Sequence, residues 1–357
     1  MPKGLISQTV VVLFRNEVTI EELRPFLDGY KIHVRAEAPP SGWEISGADL
    51  FLEFRPEVNG KAFIDVVDRP WPDHMGDPQG EPMLFAAWMM GWFGPFAYPR
   101  GLKRAIQQCR CWDEAPKIVP SHTAFARIRI SYAMGAADDA KCLPEDYEPI
   151  PELQFIGPLA SRLMQHPQAL CFFNPNGELL MPREFLDKSI KHALESKLPP
   201  LQLCSNVRLY EATTGWKLMD TIGNWQLDIP DQEAAFPETM CEPVQVDNWL
   251  RDITVYILEK GPVIKDGDTM KGPGNTNWQV KSFENGMTDP PRSVMRWLPC
   301  GNLGSIPAIF LTEKGEESDA YAGDNHDGPS IPDAGTSVAP RQSSPDAGTK
   351  PPWWRFW

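Results

Sequence analysis

The clearest structural signal in the chain is the segment Ala169–Met181 (ALCFFNPNGELLM). Two short apolar runs flank the turn residues Asn-Pro-Asn-Gly, so the segment predicts a β-hairpin. Pro182 follows directly, at the position in a first helical turn that proline tolerates best, and apolar residues then recur at helical spacing. The segment therefore predicts a strand, a turn, a second strand and a helix, in that order.

A similar arrangement lies near the start of the chain. Thr9–Phe14 (TVVVLF) is a compact apolar run that predicts a strand, and Thr19–Glu22 is a capping box that predicts the start of a helix. Both predicted helices carry the tripeptide Phe-Leu-Asp, at 26–28 and at 185–187. This repetition predicts two similar lobes that each combine strands and helices.

The predicted fold class is α+β, with two similar α/β sandwich-like lobes packed as one globular unit and a disordered C-terminal tail. The first lobe is placed at 1–140 and the second at 141–312, because a polar, acidic stretch connects them. Residues 313–349 are rich in acidic residues, Pro, Gly and Ser, and bury too little apolar surface to order themselves. Residues 350–357 form an aromatic-basic terminal peptide.

Net charge limits the partners that the chain can bind. The 34 basic and 48 acidic residues leave a formal charge of −14, and no segment concentrates Lys or Arg. Because nucleic acids and anionic membranes repel such a charge, the sequence predicts no nucleic-acid partner. The N-terminus carries no signal-peptide pattern, and the odd number of cysteines, seven, is typical of free thiols in a reducing compartment. We therefore expect a cytoplasmic protein.

The longest uncharged stretch is 82–99, and it bears on membrane insertion. It is shorter than the about 20 apolar residues that a spanning helix needs, and Gly91, Gly94 and Pro95 interrupt it. A buried helix followed by a turn is therefore predicted, with no stable membrane insertion.

Motifs for cofactors and metals are absent from the sequence. No glycine-rich nucleotide motif and no nucleophile elbow occurs, so no cofactor is predicted. Cys109 and Cys111 are the only close cysteine pair in the sequence. No second Cys or His pair follows at the spacing that a four-ligand zinc site requires. His122 and Cys142 would complete a ligand set only if the fold brought them there. We interpret the pair as two thiols at the end of a helix and predict no metal site.

Acidic residues supply the material for an alternative, enzymatic interpretation. They are dense in 220–233 and 266–268, and a metal-dependent hydrolase could use them with His122 or His192 as proton carrier. The simpler interpretation is structural, because Asp-Gly is a turn dipeptide and Ile229-Pro-Asp231 is typical of a helix entry. The catalytic candidates under the enzymatic alternative are Asp220, Asp228, Asp266 and Asp268.

The terminal peptide is the strongest candidate for partner binding. A disordered acidic segment has no folding reason to end in aromatic residues, whose burial against a surface would be favourable. The peptide could bind a separate protein or fold back onto its own chain. The predicted partner-binding residues are Trp353, Trp354, Arg355, Phe356 and Trp357.

Several segments resemble a known but uncharacterised family. Met219–Glu233 (MDTIGNWQLDIPDQE) is the most specific of them, and Ala169–Leu180 is another. Together they resemble a bacterial family catalogued as a domain of unknown function, family 4261, best over residues 84–236. The resemblance implies a bacterial cytoplasmic α+β protein with no established reaction, cofactor or catalytic residue.

These observations predict a non-enzymatic bacterial interaction protein, of adaptor or immunity type. It would engage a protein partner in part through the terminal peptide. The metal-dependent hydrolase is the alternative, and convergence of its four aspartates in one cleft would favour it.

Overall fold

Strand β1, Gln8–Phe14, is the centre of the first of two sheets in the computed structural model. The structure describes residues 3–35, 43, 49–137, 140–301 and 306–313. Within this part the chain forms seven α-helices and thirteen strands, which confirms the α+β class. The predicted linker 313–349, apart from Glu313, and the terminal peptide lie outside the described residues.

The first sheet has seven strands in the order β2-β3-β4-β5-β1-β6-β7, and every neighbouring pair is antiparallel. The predicted hairpin forms its last two strands. The strands that join β1 in this sheet are β2 Ile32–Arg35, β3 Asp49–Arg55, β4 Gly60–Val67, β5 Ala124–Ser131, β6 Ala169–Asn174 and β7 Leu179–Met181.

The first sheet extends across the predicted boundary at 140/141. Strand β6 pairs with β1, with Val12 opposite Phe172, so the hairpin completes the first sheet instead of starting a second lobe. The physical reason is that β1 is buried along its whole length and therefore needs a neighbour on each side. The two sheets divide the chain between β7 and β8.

The second sheet has six strands in the order β11-β12-β13-β10-β9-β8. All neighbouring pairs are antiparallel except β10 and β13, which run parallel. Asp231 begins β10, so the predicted helix entry at Ile229-Pro-Asp231 is wrong. The strands are β8 Asn206–Thr213, β9 Trp216–Ile222, β10 Asp231–Pro237, β11 Thr269–Lys271, β12 Asn277–Phe283 and β13 Val294–Pro299.

Helices cover both faces of the first sheet and one face of the second. Because side chains alternate along a strand, Val10 and Val12 of β1 join the core that includes helix α5, while Val11 and Leu13 join the core of helices α2 to α4. Helix α7 packs on β9 and β10. The helices are α1 Ile20–Leu23, α2 Pro82–Met89, α3 Gly101–Gln107, α4 Ala115–Ile118, α5 Pro149–Leu163, α6 Arg183–Ser196 and α7 Pro243–Lys260.

Candidate functional site

Asp220, the first of the four candidate carboxylates, lies fully buried on β9. Arg208 of β8 binds it with both ends of its guanidinium, Nε to Oδ1 at 3.0 Å and Nη2 to Oδ2 at 2.6 Å. Arg292 Nη2 approaches the same Oδ2 at 2.5 Å, and the Thr288 hydroxyl also donates to it. Burial alone would raise the pKa of Asp220, but the two arginines outweigh it and hold that pKa below its usual value.

Arg292 is itself saturated by protein acceptors. Its Nε donates to Asp231 Oδ2 at 3.1 Å, and its Nη1 donates to the carbonyl oxygens of Thr288 and Pro290. Its Nη2 donates to Asp220 and to the Thr221 carbonyl oxygen. Because each nitrogen already has an acceptor in the fold, this guanidinium is a structural cation and is not poised to receive an anion.

Glu178 extends this ion network to the first sheet. The residue directly precedes β7, and its side chain is 2% exposed. Arg208 Nη1 donates to Glu178 Oε2 at 3.0 Å, and Arg104 Nε of α3 donates to Oε1 at 2.8 Å. Burial raises the pKa of Glu178 despite these two cations. The network therefore joins the two sheets, which is an arrangement for holding a fold together.

Asp228, the second candidate, anchors the N-terminal segment. Its Oδ1 accepts from Lys3 Nζ at 2.9 Å, with 51% of the Asp228 side chain exposed and 1% of the Lys3 side chain. The same ammonium donates to the Tyr147 hydroxyl at 2.7 Å and to the Gln226 carbonyl oxygen at 2.9 Å. A buried lysine needs these acceptors, so Asp228 has a clear structural use.

Asp266 and Asp268 lie in the loop that precedes β11. Asp266 Oδ1 accepts from the backbone amide of Ser282 at 2.7 Å, and Asp268 Oδ2 accepts from the amide of Lys265 at 2.8 Å. The Asp268 contact closes a local turn, as Asp side chains commonly do, whereas the Asp266 contact joins this loop to β12. The four carboxylates thus occupy three separate places. In the described part of the chain, no group of three or more His, Cys, Asp or Glu side chains could hold a metal ion.

His122, the predicted proton carrier, is also engaged by the fold. Its Nε2 accepts from the backbone amide of Trp71 at 2.9 Å, so Nδ1 carries the hydrogen and donates to the Val119 carbonyl oxygen at 2.6 Å. Burial lowers the pKa of His122. The ring is therefore a neutral structural bridge between the segment before α2 and the end of α4.

Helix α2 presents an apolar face to solvent. Leu84, Ala87 and Trp88 are buried against the first sheet, so the predicted buried helix exists, but only one side of it is covered. Met83, Met89 and Met90 are 47%, 65% and 55% exposed. We call these three residues the methionine face. The sequence indicated that α2 is apolar on every face, because Pro82–Met90 contains no polar residue. The sequence does not indicate which side of the helix the rest of the protein covers.

Two cavities lie between elements of the two sheets. The larger, of about 240 Å³, is lined by α3, β7, β8 and α7 residues and contains both Cys109 and Cys111. The smaller, of about 170 Å³, is lined by Phe96, Trp225 and the saturated Arg292 among others. Both are below the usual size of a drug-like ligand site.

Residues 220–298 match the model of a domain of unknown function (DUF4261). This match confirms the predicted family resemblance, and it lies further towards the C-terminus than the predicted segment 84–236, which it overlaps only at 220–236. The matched segment runs from Asp220 in β9 through β13 and so contains most of the second sheet. No curated protein and no solved structure shows significant similarity to the chain.

In the part of the chain that the structure describes, no helix combines the length and the apolar character needed to cross a bilayer.

Proposed function

We propose that this protein is a non-enzymatic interaction protein, of adaptor or immunity type in a bacterial cytoplasm, that binds a protein partner. The methionine face of α2 is the observation that carries the proposal. Large apolar side chains grouped on an exposed helix are typical of protein-binding surfaces, and methionine is well suited to them because it adapts its shape. Covering each of the three would contribute roughly 1 kcal/mol.

The partner's chemistry follows from the methionine face and from net charge. An apolar contact surface on the partner would cover the methionine face. The formal charge of −14 favours a partner with a net positive charge, because opposite charges speed the encounter. The terminal peptide, whose Trp353, Trp354, Phe356 and Trp357 lie outside the described residues, would add a second contact with Arg355 as its cation.

The hydrolase alternative gains no support from the arrangement of its candidate residues. Asp220 is neutralised by two arginines, Asp228 by Lys3, and the loop aspartates bind backbone amides. A hydrolytic metal site would need several of these carboxylates to face one open space.

Affinity capture from the source cell, followed by mass spectrometry and titration with the purified partner, tests the proposal. Wild type is compared with a 350–357 deletion and with the double variant Met89→Glu, Met90→Glu. We expect each change to weaken partner binding at least about tenfold, since a factor of ten corresponds to about 1.4 kcal/mol. Neither change should lower the melting temperature.

Leu194→Glu is the matched control. Leu194 is 67% exposed on α6, so the substitution has the same chemistry at an exposed apolar site that the proposal does not use. If Leu194→Glu weakens binding as much as the α2 variant, the methionine face is not the surface involved. A deletion that lowers the melting temperature by several degrees and keeps the partner would make the peptide a self-docked clasp.

A further inference from the structure

Cys109 and Cys111 form a thiol pair beside the larger cavity. They follow α3 with one residue between them, and their sulfur atoms lie 3.9 Å apart. Both sulfurs also lie near the Leu180 carbonyl oxygen, at 3.7 Å and 3.5 Å. Each cysteine is partly exposed and reduced. Two thiols at this distance need only a local movement to reach the roughly 2.05 Å of a disulfide bond.

The two thiols differ in their surroundings. A hydrogen bond joins the two sulfur atoms, and either thiol can donate it. This bond to Cys111 lowers the pKa of Cys109, and the backbone amides of Cys111 and Trp112 add to the effect. The pKa of Cys111 is raised by the same hydrogen bond and by burial. One thiol is thus prepared to act as the nucleophile and its neighbour is held protonated, which is the division of roles that thiol–disulfide exchange requires.

The cavity beside the pair sets the size of the reactant. Its volume of about 240 Å³ admits part of a small molecule and not a folded domain. Arg110, which is exposed, and Gln108 line the same space as the two sulfurs, as does the Asp247–Arg251 ion pair, with Arg251 Nε 2.7 Å from Asp247 Oδ1. Charged and amide groups at a thiol suit a low-molecular-weight disulfide that carries carboxylates, such as glutathione disulfide.

We propose that Cys109 and Cys111 are a redox-active dithiol that exchanges with low-molecular-weight disulfides. Cys109 loses its proton to solvent, and its thiolate attacks one sulfur of the small disulfide, forms a mixed disulfide and releases the first thiolate, which takes a proton from solvent. Cys111 then loses its proton to solvent and attacks the Cys109 sulfur, releasing a second thiolate, which also takes up a proton. The protein loses two electrons and two protons, and the small disulfide becomes two thiols.

The test uses the reduced full-length protein and glutathione disulfide, followed by acid quenching, alkylation and peptide mapping. Trypsin cuts after Arg110, between the two cysteines, so a disulfide would hold the two resulting peptides together. We expect this linked pair to form and to revert with excess reduced glutathione. At about pH 6.5, alkylation of Cys109 should be about tenfold faster than that of the exposed Cys142, because a lowered pKa raises the thiolate fraction.

Two variants distinguish the roles. Cys111→Ser should accumulate glutathione on Cys109, since the resolving thiol is gone, and Cys109→Ser should abolish both the adduct and the linked peptides. Cys142→Ser is the control and should leave the exchange unchanged. The proposal is overturned if no linked peptides form in wild type, or if Cys109 is alkylated no faster than Cys142. Accumulation of the adduct in wild type would equally exclude Cys111 as the resolving thiol.

Discussion

The Asp220 carboxylate accepts hydrogen bonds from Arg208, Arg292 and Thr288 inside the second sheet. A metal ion could reach this carboxylate only by displacing an arginine. Asp220, in the acidic segment 220–233, therefore has a structural role. The same holds for Glu152 of α5, which is buried and accepts from the hydroxyls of Ser7 at 2.6 Å and Tyr147 at 2.9 Å. We therefore expect substitutions of Asp220 and Glu152 to change the stability of the protein.

Asp220→Asn should destabilise the protein by about 3–5 kcal/mol, because removing one partner of a buried pair leaves its arginines uncompensated. Urea unfolding would measure this change. Glu57→Gln is the control, since it breaks an ion pair with Arg55 in which 61% of the Glu57 side chain is exposed. The control should change the free energy of unfolding far less, because solvent screens an exposed ion pair. Equal losses in the two variants would contradict the structural role of Asp220.

The buried Glu152 carboxyl should make the free energy of unfolding depend on pH. Burial raises its pKa from 4.5 to about 7, although the hydrogen bonds from Ser7, Tyr147 and Tyr132 and the charge of Lys3 oppose the rise. Between these two values the folded protein holds a proton that the unfolded chain has released, so stability falls as pH rises from about 4.5 to 7. The loss is roughly 3 kcal/mol, at about 1.4 kcal/mol per pKa unit.

The Glu152→Gln variant should remove most of this slope, since glutamine has no proton to release. Chemical denaturation at a series of pH values would show it. A variant whose stability still falls as steeply as that of wild type over this range would assign the slope to another group.

Among the helices and strands, those features that depend on a few adjacent residues were predicted correctly from the sequence. The β6–β7 hairpin and the capping box of α1 follow from a few adjacent residues, and both are present. The choice of sheet for the hairpin is not local, because it depends on β1 having a free edge. Asp231 starts a strand instead of a helix because β10 pairs with β13, far along the chain. The methionine face was hidden for the same reason, since coverage of α2 depends on tertiary packing.

The loop that precedes β11 gives a prediction about metal ions. If Asp266 and Asp268 serve only to accept hydrogen bonds from backbone amides, millimolar Mg²⁺, Mn²⁺ or Ca²⁺ should leave the melting temperature unchanged. A ligand that binds only the native state would have to stabilise it. Differential scanning calorimetry would test this. A rise of several degrees that disappears in Asp266→Ala and Asp268→Ala would revive the hydrolase interpretation.

At the scale of the whole molecule, Glu178 is the point at which the two sheets share charge. Glu178→Gln weakens the contacts with Arg104 and Arg208 together, so it should destabilise the protein by roughly 3 kcal/mol. Hydrogen exchange should show faster opening of both sheets. Glu145→Gln, in an exposed pair with Lys141, is the control and should change neither. If exchange rises only in β6 and β7, the network does not couple the sheets.

The position of β1 also has a consequence for the rate at which the protein acquires its structure. Although β1 precedes every other described strand in the sequence, it occupies the interior of its sheet, and the strands that pair with it come much later. Ser7 bonds to Ile130, 123 positions away, and Thr9 to Asn176, 167 positions away. Folding is slow when such long loops must close, because the chain loses conformational entropy before the long-range contacts stabilise it. During synthesis, β1 therefore remains unpaired until β5 and β6 emerge. In that interval its backbone hydrogen-bonding groups and its apolar side chains are exposed to other chains.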